Sequence, residues 1–567
     1  MPWLAVRNAC GVRSAASGVT DEGTRSVPED FDAGPPGAPG HAARPWIRCA
    51  AACLLVCVGF ASAGPVGAVE RTAVGPATRN ASAKRLEAVQ AELATAQKQH
   101  AARLVPVAQG FSDLGLADEA KHCRALAAPM ETVLFRVNKL PKEVQPEISL
   151  SLPERERELR ESLRQIEEHY AADLYSFCRK ALRAGYPSYA YQIVEEVVRH
   201  NPDHPAARKI LGYKLRGKEW VTPFAADRLE KGYVWDDAFG WLPKEQLAKY
   251  KAGKRWCGGR WMSIAQEAEI RRDFQHAWQV RTDHYLVRTD KSLERGVEIA
   301  KTLEQYHDFF MQTFAGFFST PDQMMKLFQT SGSSSSLQSR SRPYLVDYFR
   351  SRDEYVNRLV KRVPQIGITN GLYYTADRVA YFYYDPQQQN QDTLFHEATH
   401  QLFYENDKRD RMIAMDANFW IVEGISCYME SYHVENGQSV VGDPKHVRIE
   451  AARHRCLIDK YYIPLDRFTE MGMYAFQSSR QISMNYSQAA GLAHFFMHYD
   501  GGRYRDALIE HLSEIYRAGP RQRTAVRSLA DLTGVSFPEL DRQYEEYMQS
   551  LSAGIPQSDV RRTAAAR

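Results

Sequence analysis

Thr393-Leu394-Phe395-His396-Glu397-Ala398-Thr399-His400-Gln401-Leu402-Phe403 is the stretch from which the rest of the chain is read. His396 and His400 are four residues apart. Helical winding puts such a pair on one face, about one turn apart, where both imidazoles can reach one ion. Glu397 follows the first histidine directly, in a position to hold a water on that ion. Zinc lowers the pKa of a bound water towards ~7, and a neighbouring carboxylate can then take its proton as it attacks a carbonyl. Leu394, Phe395, Leu402 and Phe403 give the helix an apolar side with which to pack. With 17 histidines in 567 residues, the pattern arises by chance in roughly 3% of such chains. A catalytic zinc also needs a third protein ligand, so the pattern directs attention downstream.

A histidine as third ligand requires Gly three residues and His six residues after His400. Phe403 and Asn406 stand there, which excludes it. Trp420-Ile421-Val422-Glu423-Gly424-Ile425-Ser426-Cys427-Tyr428-Met429-Glu430 offers a carboxylate instead, Glu423, 23 positions after His400. Glu430 lies seven residues further, on the same helical face, as a group that supports the ligands or as a surface residue.

His-Glu-x-x-His followed by Trp-x-x-Glu-Gly-x-x-x-Tyr-x-Glu resembles the signature of the gluzincin metallopeptidases, with Trp420, Glu423, Gly424, Tyr428 and Glu430 all matching. The stretch from about 277 to 551 is similar to a secreted bacterial branch of these thermolysin-like and aminopeptidase-N-like proteins. The resemblance implies Zn2+ held by His396, His400 and Glu423, with Glu397 as general base. It implies a peptide or protein substrate. It also implies that Tyr486, in Asn485-Tyr486-Ser487-Gln488, donates to the oxyanion of the tetrahedral intermediate. Gly371-Leu372-Tyr373-Tyr374 lacks the Met-Glu-Asn of the exopeptidase motif, so an endopeptidase is expected rather than an aminopeptidase. Cys427 stands where thermolysin-like members have an Asp. Orientation of a ligand histidine then falls to Asp392, Asp416 or Glu430. The strand at 379–384 is expected to be a sheet edge with which an extended peptide pairs. His494 and His498 are the weaker candidates for the oxyanion role, with plain exposure to solvent as the alternative.

Upstream of the metal motif, Trp278, Val280, Tyr285 and Val287 alternate like paired strands. Leu293, Val297, Ala300, Leu303, Tyr306, Phe310, Phe314 and Phe317 mark a long amphipathic helix. A serine-rich surface loop at 330–342 follows, then strands at 344–349, 371–374 and 379–384. The expected class is α+β: a mainly helical N-terminal region, then a gluzincin-like domain at 277–552 with a small mixed sheet and the active-site helices. Residues 214–276 read as an aromatic connector, a packing collar that contains Trp220, Trp235, Trp241, Trp256 and Trp261.

Residues 64–213 read as helical, with separate stretches at 84–122, 154–168 and 171–182. After Gly185, the segment around Ala190, Ile193 and Val197 completes one tetratricopeptide-like helix pair, which implies a protein partner at this region. Arg44 and Arg48 precede an apolar run that ends Ala61-Ser62-Ala63, so 44–63 reads as a secretory signal. This places the protein outside the cytoplasm, secreted or in the cell envelope, with no span left once the signal is cleaved. Retention as an anchor is the alternative. Residues 1–43 read as a disordered leader or a mis-assigned start, and 553–567 as a disordered tail.

A net charge of +4 on 567 residues gives no argument for nucleic acid. The five cysteines after the signal are scattered, without a Cys-x-x-Cys pair, so neither a thiolate zinc site nor a disulfide framework is expected. The alternative to a hydrolase is a binding or scaffold protein with a helical repeat region and a latent peptidase fold.

Overall fold

Sheet strands alternate their side chains between two faces, and here the two faces carry different helices. The computed structural model describes residues 76–128, 136–138, 140–329, 342–386, 391–406, 413–518 and 526–552. The leader, the signal segment, nearly all of the 330–342 loop and the 553–567 tail lie outside the described residues. The fold is α+β.

The N-terminal part is built on α1 (Pro76–Asp113), α2 (Ala117–Leu126), α3 (Glu154–Ala184) and α4 (Pro187–His200). Leu93, Leu174, Ile193, Val194 and Val197 share one buried core between α1, α3 and α4. The stretches expected separately at 154–168 and 171–182 are one helix of 31 residues. Nothing between them breaks a helix, and buried Tyr170 and Ala171 carry the apolar face across the join. The helix stops at Gly185, which takes a left-handed conformation (φ 92°) that a side chain would strain.

The connector is more regular than a collar of aromatics. It holds three successive β-hairpins, Lys214–Arg216 with Glu219–Val221, Tyr233–Asp236 with Gly240–Pro243, and Lys254–Cys257 with Arg260–Ser263. Each hairpin runs into a helix: Pro223–Glu230, Lys244–Gln246 continuing as Leu247–Lys251, and Ile264–Arg271. Trp220, Trp241 and Trp261 occupy the same place in the second strand of each unit, at spacings of 21 (241 − 220) and 20 (261 − 241) residues. The three units are anchored differently. Trp220 Nε1 donates to Asp203 at 2.9 Å, below α4. Gly240 lies against Val280 and Val297. Buried Arg255 donates to Glu294 at 2.9 Å.

The sheet comprises β1 (Trp278–Arg281), β2 (Tyr285–Thr289), β3 (Tyr344–Phe349), β4 (Leu372–Tyr374) and β5 (Val379–Tyr383), in the order β4-β5-β3-β2-β1. β2, β3 and β5 run parallel, and antiparallel β1 and β4 close the two sides. The expectation for 379–384 is therefore corrected. β5 is paired on both sides, so its backbone groups are already used, and Leu372–Tyr374 is the edge.

α5 (Leu293–Thr313) and α6 (Gln391–Asn406) pack on one face of this sheet, and the helix Arg352–Leu359 packs on the other. Beyond α6 come α7 (Phe419–Met429), α8 (Val447–Leu457), α9 (Ile482–Gly502, kinked at Tyr499–Gly501), α10 (Arg505–Ala518) and α11 (Phe537–Ser552). α7 and α9 touch almost backbone to backbone: a Cβ on Gly424 would stand 2.5 Å from the Ala489 carbonyl oxygen. Among the described residues no helix is long and apolar enough to cross a membrane.

Candidate metal centre

α6 is buried along most of its length and cannot rotate freely. Tyr306 of α5 holds its back, with the phenol oxygen 2.5 Å from Thr399 Oγ1 and donating to the Phe395 carbonyl at 3.2 Å. This aims His396 and His400 away from α5 and towards α7. Their Nε2 atoms lie 3.2 Å apart. Glu423 Oε2, from α7, lies 3.7 Å from His396 Nε2 and 3.9 Å from His400 Nε2. Ligand atoms about 2.0–2.2 Å from a tetrahedral ion stand about 3.3–3.6 Å from one another, so the three atoms are near the spacing of zinc ligands.

The hydrogen bonds around these groups set the chemistry of the cluster. His396 Nδ1 lies 2.9 Å from Glu430 Oε1, and Arg448 of α8 grips both oxygens of Glu430 at 2.8 Å. Burial alone would raise the Glu430 pKa. The Arg448 charge and the bonds from His396 and Arg448 outweigh it and hold the carboxyl well below its usual range. An ionised carboxylate only accepts, so the His396 proton on this side sits on Nδ1. Ser426 Oγ donates to the Val422 carbonyl at 3.1 Å, which uses its single hydrogen. It then accepts from His400 Nδ1, also at 3.1 Å. Both histidines thus engage a partner through Nδ1 and turn Nε2 towards Glu423. Burial alone would lower the His396 pKa, but Cys427, Glu423 and Glu430 around it hold it well above the usual histidine value, so in the absence of a metal its Nε2 keeps a proton that a bound ion would replace. Both oxygens of Glu423 are buried without a hydrogen bond. Two imidazole Nε2 atoms and a buried carboxylate thus converge at the spacing of metal ligands, an arrangement that a cation satisfies.

Glu397 is held by the sheet: its Oε2 accepts from the edge-strand amide Tyr373 N at 2.7 Å. Burial pushes its pKa up to about 7, against the lowering effects of the His396 charge and the Tyr373 amide. A general base is most effective with a pKa near the working pH. Tyr486, on α9, is buried. Its pKa is driven well above the phenol range by burial first and then by the charges of Glu423 and Cys427, which places its ring beside the cluster. The structure therefore brings together His396, His400, Glu397, Glu423 and Tyr486.

Of the three carboxylates considered for orienting a histidine of the cluster, Glu430 is the one that meets His396. Asp392 instead lies 4.0 Å from His446. Cys427 is buried and forms a second grouping with His396 and Glu430. His494 and His498 do not face solvent: each is 2% exposed. His494 Nε2 donates to the Gly442 carbonyl at 3.0 Å, its Nδ1 accepts from Tyr547 at 2.8 Å, and His498 Nε2 meets the Tyr428 hydroxyl at 2.7 Å. They are struts within the α7–α9–α11 packing. Ser426, Arg448 and Tyr373 were not singled out in the sequence. Ser426 follows Glu423 by three residues on a continuous helix, a spacing that could have drawn attention to it. Arg448 carries no local signal.

Among the described residues, two other histidine–glutamate groups are hydrogen-bonded rather than open. Glu167 lies 2.7 Å from His100 and 2.6 Å from His200, and Glu304 lies 2.7 Å from His284. These contacts are too short to admit an ion between the partners.

A family model described as "Protein of unknown function (DUF1570)" matches residues 390–521. That segment contains α6 through α10 and with them His396, Glu397, His400, Glu423, Glu430, Arg448 and Tyr486. No curated protein sequence matches the chain.

Two expectations follow from this geometry. Glu430→Gln keeps the shape but loses the charge that fixes the His396 tautomer. Zinc affinity, measured by competition with a chromophoric chelator, is expected to fall about 10–100-fold. The second concerns His494, whose pKa burial lowers to about 4. Between pH 6.5 and 4 the unfolded chain binds the proton that the folded chain refuses, so stability drops as pH falls through that window. The site contributes about 3 kcal/mol to that drop. Denaturant unfolding at pH 7 and pH 4.5 should show a shallower acid loss in His494→Gln. Equal loss in both proteins contradicts the assignment.

Proposed function

We propose that this chain is a zinc-dependent hydrolase of the metallopeptidase type, acting on peptide or protein substrates outside the cytoplasm. The observation that carries the reading is the convergence of the His396 and His400 Nε2 atoms with the buried Glu423 carboxylate at 3.2–3.9 Å, with each Nδ1 held from behind. His396, His400 and Glu423 would hold the ion. Zinc in such a site lowers the pKa of water to about 7 and polarises a carbonyl.

The remaining steps belong to the protein. Glu397, with its raised pKa, takes a proton from the attacking water and can return it to the leaving amine. The phenol of Tyr486 donates to the oxygen on which charge develops. β4, the edge strand whose Tyr373 amide holds Glu397, aligns an extended chain next to Glu397. Localisation outside the cytoplasm rests on the 44–63 segment alone, and peptide as the substrate rests on the resemblance to gluzincins.

The test has two arms. Metal analysis of the purified full chain is expected to give one zinc per molecule. A mixed peptide library is expected to be cleaved, with cleavage stopped by a chelator and restored by zinc. Zinc without turnover on any peptide sinks the hydrolase reading and favours a binding or scaffold protein. Tyr486→Phe is expected to lower kcat by about 10²–10³-fold with KM little changed, as for loss of one oxyanion donor. A change confined to KM assigns the phenol to substrate binding instead.

A further inference from the structure

The face of the sheet turned away from α6 carries a polar row. Arg288 of β2, Asp347 of β3 and Tyr381 of β5 are register partners and point the same way. Beneath the helix Arg352–Leu359 this row opens into a cavity of about 360 Å³, within the range of about 300–1,000 Å³ typical of small-molecule sites. Its walls are mixed in a particular way. Phe274, Phe349 and Tyr381 supply flat apolar surface, with Phe274 and Phe349 at 4.6 Å between ring centroids and Phe349 stacked on Tyr381 within 8° of parallel. Arg288, Arg358 and Arg362 supply three guanidiniums against one lining carboxylate, Asp347.

These arginines are not equivalent. Arg288 is locked on Asp347 by two bonds of 2.6 and 2.7 Å. Arg362 is held by Asp377, which also accepts from the Tyr381 hydroxyl. Both are wall elements with their charge matched. Arg358 lies with its guanidinium carbon 5.2 Å from the Phe274 ring centre, and its ion pair with Asp273 is stretched to 3.8 Å. Among the described residues it is the lining arginine without a carboxylate at hydrogen-bond distance, so its charge is the least matched of the three. Planar guanidinium suits the two oxygens of a carboxylate or phosphate.

We propose that this cavity binds a small organic oxyanion, a carboxylate or phosphate carried on a flat apolar body. Arg358 engages the oxyanion, and Phe274, Phe349 and Tyr381 pack the body. The site is separate from the metal centre, on the opposite face of the sheet, and does not depend on the reading of that centre.

The experiment is calorimetric titration of the full chain with benzoate and with phenyl phosphate. Benzyl alcohol serves as the uncharged control and inorganic phosphate as the anion without a body. At least one of the two aryl anions is expected to bind with a Kd of about 1 mM or tighter, and both controls at least about 10-fold more weakly. Which aryl anion binds better tells carboxylate from phosphate. Arg358→Met keeps the aliphatic stem over Phe274 and removes only the charge. It is expected to weaken binding by about 10-fold or more while leaving the melting temperature unchanged. Three results overturn the proposal: neither aryl anion binds, a control binds equally well, or Arg358→Met binds like the parent chain.

Discussion

Glu397→Gln is expected to leave the protein folded and metal-loaded while lowering kcat/KM by about 10²–10⁴-fold, the usual weight of a general base. Gln has the shape of Glu, and its amide oxygen can still accept from Tyr373 N, so the contact that fixes the side chain survives. What is lost is the ability to take a proton. His396, His400 and Glu423 are untouched, so zinc content should match that of the parent chain. The pair of measurements separates two ideas that activity alone confuses. Loss of both metal and turnover makes Glu397 part of the structure of the centre. Retention of full activity with zinc bound removes Glu397 from the mechanism. Because burial places the Glu397 pKa at about 7, the acid limb of kcat/KM in the parent chain is expected near neutrality and is absent from whatever activity the variant keeps.

Gly424→Ala is expected to abolish metal binding and activity together and to lower the melting temperature. The added methyl would lie 2.5 Å from the Ala489 carbonyl oxygen and 2.9 Å from its carbon. Both are backbone atoms of a buried helix and have no rotamer into which to escape. Overpacking of this kind costs about 1–3 kcal/mol, occasionally more. The functional cost is larger than the energetic one. α7 carries Glu423 and α9 carries Tyr486, so forcing the two helices apart moves the proposed ligand and the proposed oxyanion donor relative to α6. Gly367→Ala is the matched control, since a Cβ there meets nothing within 4 Å. It should stay within about 0.5 kcal/mol of the parent chain. Zinc affinity, activity and melting temperature measured on both variants decide the point. A stable, zinc-binding Gly424→Ala protein would mean that α7 and α9 can separate without disturbing the centre.

How much of this was legible in the sequence depends on how local the determinants are. His396, Glu397 and His400 declare themselves through one helical turn, and Glu423 through its fixed company of Trp420 and Gly424. The long apolar face of α5 and the alternation in β1 and β2 were readable for the same reason. The edge of the sheet was not. Strand order depends on pairings between segments far apart in the chain, and β4, only three residues long, gives almost no periodic signal. The roles of Arg448 and Ser426 depend on helices meeting in space. The burial of His494 and His498 does so too: a helix with polar residues in its apolar run looks amphipathic until partners such as Tyr547 and Gly442 arrive from elsewhere. The three hairpin units are a different case. Their Trp spacing of 21 and 20 residues was present in the sequence all along, hidden because little besides that Trp and the glycine ahead of each first strand (Gly212, Gly232 and Gly253) is shared between copies.

Those units bear on how the molecule moves. Two halves of a chain joined by an ordinary linker bend about it like a door on its hinge. Here the joining segment is stiffened by three hairpins in series, pinned successively beside α4, against β1 and on α5. In addition, α4 touches α10 directly, through Ser188 N and Asp506 at 3.4 Å. The helical half therefore has no pivot on which to swing relative to the metal centre, and thermal unfolding should show a single cooperative transition in which both halves are lost at once.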